Sequence, residues 1–317
     1  MRQTRLTRRR APLTAALVAV VSLAVAACGG SSDDAASAVP PSGGQDGLQS
    51  VFDDAPVADA AAILPGSTME AIKERGVLRV AAALDAPLLS QQDPTDPDTV
   101  EGFDIDLAKM LAIYILGEPS IEIVPPASET REALLANGTV DVVFNTYTIT
   151  EERAEQISFA GPYFTSGLAV AVRADEEEIR GLDDVGGRTV IVGANTPAVT
   201  AVPEAQPTAE VTAFGTDPQA IQALVQGRGD AYVQDYTLLV AAAAQNDDIK
   251  IVGEPFTEEP YGIGLAHDDA DFKEFVNTWL EKIQDGGQWA AVWDATLGTV
   301  VEGDAPEPPA IGSVPGS

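Results

Sequence analysis

The chain has 317 residues, 45% of them hydrophobic and 21% charged, enough for two lobes of ordinary size. It carries 49 Asp and Glu against 18 Lys and Arg, a formal charge of −31 at pH 7. A surface this acidic repels nucleic acid and anionic lipid, and because the acids are scattered rather than run together they read as a solubility device. The single cysteine excludes disulfides and cysteine-cluster metal sites, and no metal or cofactor is expected.

Residues 1–27 read as a signal peptide: Arg2, Arg5, Arg8, Arg9 and Arg10 without an acid, then an uncharged apolar stretch from Ala11 to Ala27. That stretch is too short and Ala-rich for a secure membrane span, and Val25-Ala26-Ala27-Cys28 resembles the lipobox of bacterial lipoproteins, with Cys28 as the lipid-modified (palmitate-bearing) first residue after cleavage. Loss of five leader arginines leaves 13 of the 18 basic residues against 49 acids, a charge of −36. Residues 28–66, small, polar and low in complexity, read as a flexible tether, and residues 301–317, with Pro306-Glu307-Pro308-Pro309, as a disordered tail.

The predicted elements begin with a short helix ending at Arg75-Gly76 and a buried strand over Val77–Ala83, followed by a polar loop with Pro87, Pro94 and Pro97. Ile105, Ala108, Leu111, Ala112 and Ile115 share one stripe of a helix over 104–116. A strand over 121–124, a helix over 129–137 stopped by Gly138 and a strand over 141–145 follow. The second half repeats the scheme: strands over 189–192 and 210–213, a helix over 217–226 stopped by Gly227, a strand over 230–234, a helix over 236–245 and a strand over 250–252. The segments 135–141 and 224–230 share Leu-x-x-Gly-x-x-Asp, each leaving a helix and entering a strand. Two similar α/β lobes with mostly parallel sheets are expected.

A strand over 261–265 and an amphipathic helix over 269–285, with Phe272, Phe275, Val276, Trp279, Leu280 and Ile283 on its apolar face, are too little for a third domain. They are read as returning to lobe 1, which then spans 67–166 and 260–300, with lobe 2 over 167–259. The chain crosses twice, near 165–167 and 259–261, and two crossings make a hinge over a cleft.

Ligands of open α/β sheets bind beyond the carboxyl ends of the strands. Five residues on from the shared Asp lie Thr146 in one lobe and Asp235 in the other, and Thr148 and Arg153 follow Thr146 closely. An arginine held rigidly binds a carboxylate by two charged hydrogen bonds of about 1.5–3 kcal/mol each. Asp235 suits an ammonium, and the pair describes a free α-amino acid. Each residue also has a purely structural alternative: Thr150 as a helix N-cap, Arg153 as a surface charge beside Glu151 or Glu152, Asp235 as N-cap of the helix from Tyr236.

Four stretches, Gly102-Phe103-Asp104-Ile105-Asp106-Leu107-Ala108, Thr146-Tyr147-Thr148-Ile149-Thr150-Glu151-Glu152-Arg153, Phe159-Ala160-Gly161-Pro162-Tyr163-Phe164 and Gly229-Asp230-Ala231 with Gln234-Asp235, carry a resemblance. Over about residues 69–295 the chain is similar to the family 3 extracellular solute-binding proteins, receptors of polar amino-acid ABC importers. The resemblance implies a two-lobed type II periplasmic-binding-protein fold, with Arg153 on the substrate α-carboxylate, Asp235 on its α-ammonium, and Thr146, Thr148 and Thr196 as further polar contacts. Asp85-Ala86-Pro87-Leu88 and Ser128-Glu129-Thr130-Arg131-Glu132 resemble the glutamate-type subgroup, which implies Ser128 and Arg131 at the substrate side chain, with Asn195 in the turn Ala194-Asn195-Thr196-Pro197. Glutamate or aspartate and glutamine or asparagine both stay open. The expected partners are a free amino acid and a membrane permease, for a monomeric, lipid-anchored, extracytoplasmic receptor without catalysis. The rival is an enzyme on the same fold, a cyclohexadienyl-dehydratase-like protein with Asp217 as general acid. Asp217 otherwise reads as N-cap of the helix from Pro218, and His267 as a solvated loop residue.

Overall fold

The computed structural model describes residues 44–301 and 303–317, so the leader and Cys28 lie outside the described residues. Helix α1 (Gly44–Asp53) leads to α2 (Thr68–Arg75), which starts where the Ser67 hydroxyl accepts from Glu70 N at 3.2 Å and stops at Gly76 with φ 74°. Then come β1 (Leu78–Ala81), the short strands β2 (Asp85–Ala86), β3 (Ser90–Gln92) and β4 (Val100–Glu101), α3 (Phe103–Leu116) and β5 (Ile121–Val124). The first lobe continues through α4 (Arg131–Ala136), β6 (Val142–Val143), α5 (Glu151–Ala154) and β7 (Ser158–Ser166). The second holds β8 (Leu168–Arg173), β9 (Thr189–Gly193), α6 (Ala198–Ala205), β10 (Glu210–Phe214), α7 (Asp217–Val225), β11 (Ala231–Asp235), α8 (Tyr236–Ala243) and β12 (Ile249–Val252). Strand β13 (Glu259–Leu265) and helices α9 (Ala270–Asp285) and α10 (Gln288–Ala295) pack back onto the first lobe.

The two sheets follow one plan. In order β5-β1-β6-β13-β7 the first three strands are parallel, while β13 runs antiparallel to both neighbours. In order β10-β9-β11-β8-β12 the first three are again parallel, and β8 is antiparallel to β11 and β12. Neither β7 nor β8 is among the expected strands; in β7, Gly161-Pro162 reads as turn punctuation. An edge strand tolerates a proline, and β7 is an edge whose ladder with β13 skips register between Tyr261 and Ile263. At the first crossing Gly167 leaves no room for a side chain: a Cβ there would lie 2.4 Å from Thr257 O and 2.9 Å from Pro255 Cβ of the second. Leu168 N donates to Thr257 Oγ1 at 2.8 Å and Phe256 N to Leu168 O at 2.9 Å, which ties the crossings together.

The structure differs from the expected tether and tail. Within 44–66, Leu48, Val51, Phe52 and Ile63 pack on the lobe 1 core, and Ala58 N donates to Tyr114 O at 2.9 Å. The helix α3, expected to show one apolar stripe, has 12 of its 14 residues buried, because α2, α9 and α10 pack against it and cover the face that a simple two-layer lobe would expose to water. In the tail, Ile311 joins the same core, Val314 packs beside Leu135 and Ile149, and Gly312 N donates to Gly161 O at 2.9 Å where the ladder is interrupted. The apolar face of α9 is buried through Phe272, Phe275, Val276, Trp279, Leu280 and Ile283. Among the described residues no helix is long and apolar enough to cross a membrane.

Candidate functional site

Between the lobes, the ends of β6, β11 and the crossing strands surround a pocket lined by Ser128, Arg131, Thr146, Thr148 and Arg153 on one side and Thr196, Asp217, Gln234 and Asp235 on the other, with Ala83, Ala86, Leu238 and Glu259 around them. Helix α5 places Arg153. Thr150 caps that helix, its hydroxyl accepting from Arg153 N at 3.2 Å, so the capping alternative holds for Thr150. Arg153 is no surface charge: it is only 8% exposed, donates from Nη1 to Thr148 O at 2.7 Å and from Nη2 to Asn195 O at 2.8 Å, and lies nearest Glu132 among acids, at 3.9 Å.

Arg131 is equally buried, held by Ser128 O at 3.1 Å through Nε. Its guanidinium carbon lies 4.2 Å from the Tyr147 ring centroid, and that of Arg153 lies 4.8 Å from it. The Tyr147 hydroxyl donates to Glu132 Oε1 at 2.6 Å, which fixes the ring that both cations lean on. Burial, then the charge of Arg153, pushes the Arg131 pKa down to about 10, which leaves it charged at neutral pH. Two buried cations opening onto one pocket favour a bound carboxylate.

Across the pocket Asp235 ends β11 and caps α8, accepting from Thr237 N at 2.9 Å, so its capping alternative also holds. The same Oδ1 accepts from Ser166 Oγ at 2.8 Å, Thr237 Oγ1 at 2.7 Å and the Tyr261 hydroxyl. Both crossing strands thus donate to this one oxygen. Oδ2 is buried with no partner among the described residues, an arrangement that costs roughly 1–3 kcal/mol until a donor arrives. Burial holds the Asp235 carboxyl above its ordinary pKa, against those donors.

Thr146 has φ 43° and is held by its N–H, which donates to Asp104 Oδ2 at 2.7 Å. Thr196 caps the pocket from lobe 2, its hydroxyl bonded to Gly193 O at 2.8 Å. Asn195 stands apart: it lines an outer groove with Glu129 and Val199 rather than the inner pocket, and bridges the lobes. Its Nδ2 donates to Ser128 O at 3.0 Å, while its carbonyl accepts from Arg153 and, at 3.4 Å, from Arg131. The N-cap reading of Asp217 is corrected. Thr216 takes the cap position, and the Asp217 carboxylate instead accepts from the Tyr232 hydroxyl and from Gln234 Nε2 at 2.7 Å, because the strand end of β11 lies beside the start of α7.

Sequence reasoning missed Tyr147, Tyr261 and Glu259. Tyr147 sits between two threonines picked out by spacing, so the signal was present but pointed at its neighbours. Nothing local marks Glu259 and Tyr261, which reach the site through the second crossing.

The description of bacterial extracellular solute-binding proteins, family 3, matches residues 78–298. The glutamine-binding protein of Geobacillus stearothermophilus is 37% identical over 214 residues, covering 67% of this chain and 81% of that protein. The glutamate-binding protein GluB of Corynebacterium glutamicum is 32% identical over 249 residues, covering 74% and 83%. A solved structure of the ancestral amino acid-binding protein AncCDT-1, a precursor of cyclohexadienyl dehydratase, aligns with a TM-score of 0.66 at 31% identity, over 73% of this chain and all of that one (100%).

Proposed function

The chain belongs to family 3 of the bacterial extracellular solute-binding proteins, and on that premise we propose that it is the extracytoplasmic receptor of an ABC importer for a polar amino acid of the glutamate or glutamine class. The observation that carries this is the facing pair: a buried, rigid Arg153 on lobe 1 and Asp235 on lobe 2, whose Oδ2 has no donor among the described residues. An α-carboxylate on the first and an α-ammonium on the second engage both lobes at once, so the ligand stabilises the closed form by contacts an open form cannot make. Thr146, Thr148 and Thr196 line the same space, as do Ser128 and Arg131. The relatives named above as glutamine- and glutamate-binding support the substrate class.

Calorimetry with the twenty amino acids tests the reading. At least one polar amino acid is expected to bind, and Arg153→Ala to weaken it 100-fold or more, the loss of two charged hydrogen bonds of about 1.5–3 kcal/mol each. No binding, or an unchanged affinity in the variant, removes it. The cleft acts by binding alone, so the ligand is recovered chemically unchanged after long incubation.

The receptor acts as a monomer, held beside its permease by a lipid on Cys28, which raises its effective concentration for docking. Cys28→Ser is expected to move the protein from the membrane fraction to the soluble one; retention there rules the anchor out.

A further inference from the structure

Resting on the amino-acid reading above, we infer that Asp217 makes this pocket select a primary carboxamide side chain, glutamine or asparagine, over the corresponding carboxylate. With the α-groups on Arg153 and Asp235, two charged residues lining the pocket are left for the ligand's side chain, Arg131 on the lobe 1 side and Asp217 on the lobe 2 side. The two offer opposite chemistry: a guanidinium has donors only and an ionised carboxylate acceptors only.

Asp217 is fixed in place. The Tyr232 hydroxyl and Gln234 Nε2 both donate to its Oδ1, and Gln234 Nε2 also donates to the Tyr232 oxygen at 3.0 Å. Its Oδ2 takes no such bond among the described residues and belongs to a residue lining the pocket. A carboxamide has one acceptor oxygen for Arg131 and two N–H donors for Asp217. A second carboxylate would set acceptors against Asp217, and an ammonium or guanidinium would set donors and positive charge against Arg131. A site built to pair a particular donor rejects the analogue that lacks it, since its own buried polar groups are then left unpaired.

The test is calorimetry of the mature chain with glutamine, asparagine, glutamate, aspartate and arginine, repeated on Asp217→Asn, whose amide oxygen still accepts from Tyr232 and Gln234. The better carboxamide is expected to bind the wild type at least tenfold tighter than the better acid. In Asp217→Asn that ratio falls at least tenfold, mainly because the acid binds better. The inference is overturned if the wild type binds an acid or arginine as tightly as the best carboxamide, or if the variant keeps the wild-type ratio. Should the variant not fold, the wild-type ratio decides. Absence of binding by every amino acid overturns the receptor reading itself, a separate result from binding with the wrong preference.

Discussion

Thr146 holds a left-handed backbone, φ 43°, that costs a residue with a Cβ roughly 1–2 kcal/mol, and Asp104 keeps it there by accepting its N–H while accepting the Tyr163 hydroxyl at 2.7 Å. Burial pushes the Asp104 pKa from 3.8 up to about 6, against the pull of those two donors. Native Asp104 therefore binds its proton more tightly than the unfolded chain does. Its contribution to stability is complete below about pH 4 and lost as pH rises through about 6. Two pKa units correspond to on the order of 3 kcal/mol. Asp104→Asn, neutral throughout, is expected to gain on the wild type by that order between pH 4 and 7 in urea unfolding. A difference between the two that stays flat with pH contradicts the account.

At the scale of elements, the Pro- and Gly-rich C-terminal segment acts as a strap under the site. Its residue Gly316 lies against Ile149 and Ala154, Val314 packs in the same cluster, and these contacts back the turn and helix α5 that present Thr148 and Arg153. The segment offers few apolar groups and no regular structure of its own, so its order rests on lobe 1. A chain ending at Asp304 is expected to lose about 1–2 kcal/mol, lowering the thermal midpoint by roughly 2–8 °C. Amino-acid affinity should fall with it, as α5 loosens. An unaltered midpoint means the strap adds nothing.

For the molecule as a whole, Asn195 joins the two lobes across the mouth of the cleft. Its left-handed φ of 54° suits glycine even better, so Asn195→Gly removes the Nδ2 bond to Ser128 without adding strain, and keeps the carbonyl that both arginines use. One such bond is worth about 0.5–1.5 kcal/mol net. Ligand affinity by calorimetry should drop roughly 2- to 10-fold, with thermal stability of the unliganded protein nearly unchanged. An unchanged affinity shows that this rim contact plays no part in binding.

By itself the sequence determined the two-lobed α/β plan, because helix stops, strand runs and the shared Leu-x-x-Gly-x-x-Asp are local signals set by neighbours a few residues away, and the same spacing singled out Arg153 and Asp235 as candidates for an amino acid's α-groups. Thr150 and Asp235 show the limit of such signals: both proved to be helix caps, and only the fold aimed Asp235 at the pocket as well. Tertiary structure alone decided the rest. Strand β7 is a strand because β13, about 100 residues on, pairs with it around Gly161-Pro162, and α3 is buried nearly all round because α2, α9 and α10 close over it. Asp217, read locally as a cap, became a wall of the pocket when β11 brought Tyr232 and Gln234 beside it. In each case the deciding contact joins residues that are distant in the chain, and burial against a partner overrode what the local pattern favoured.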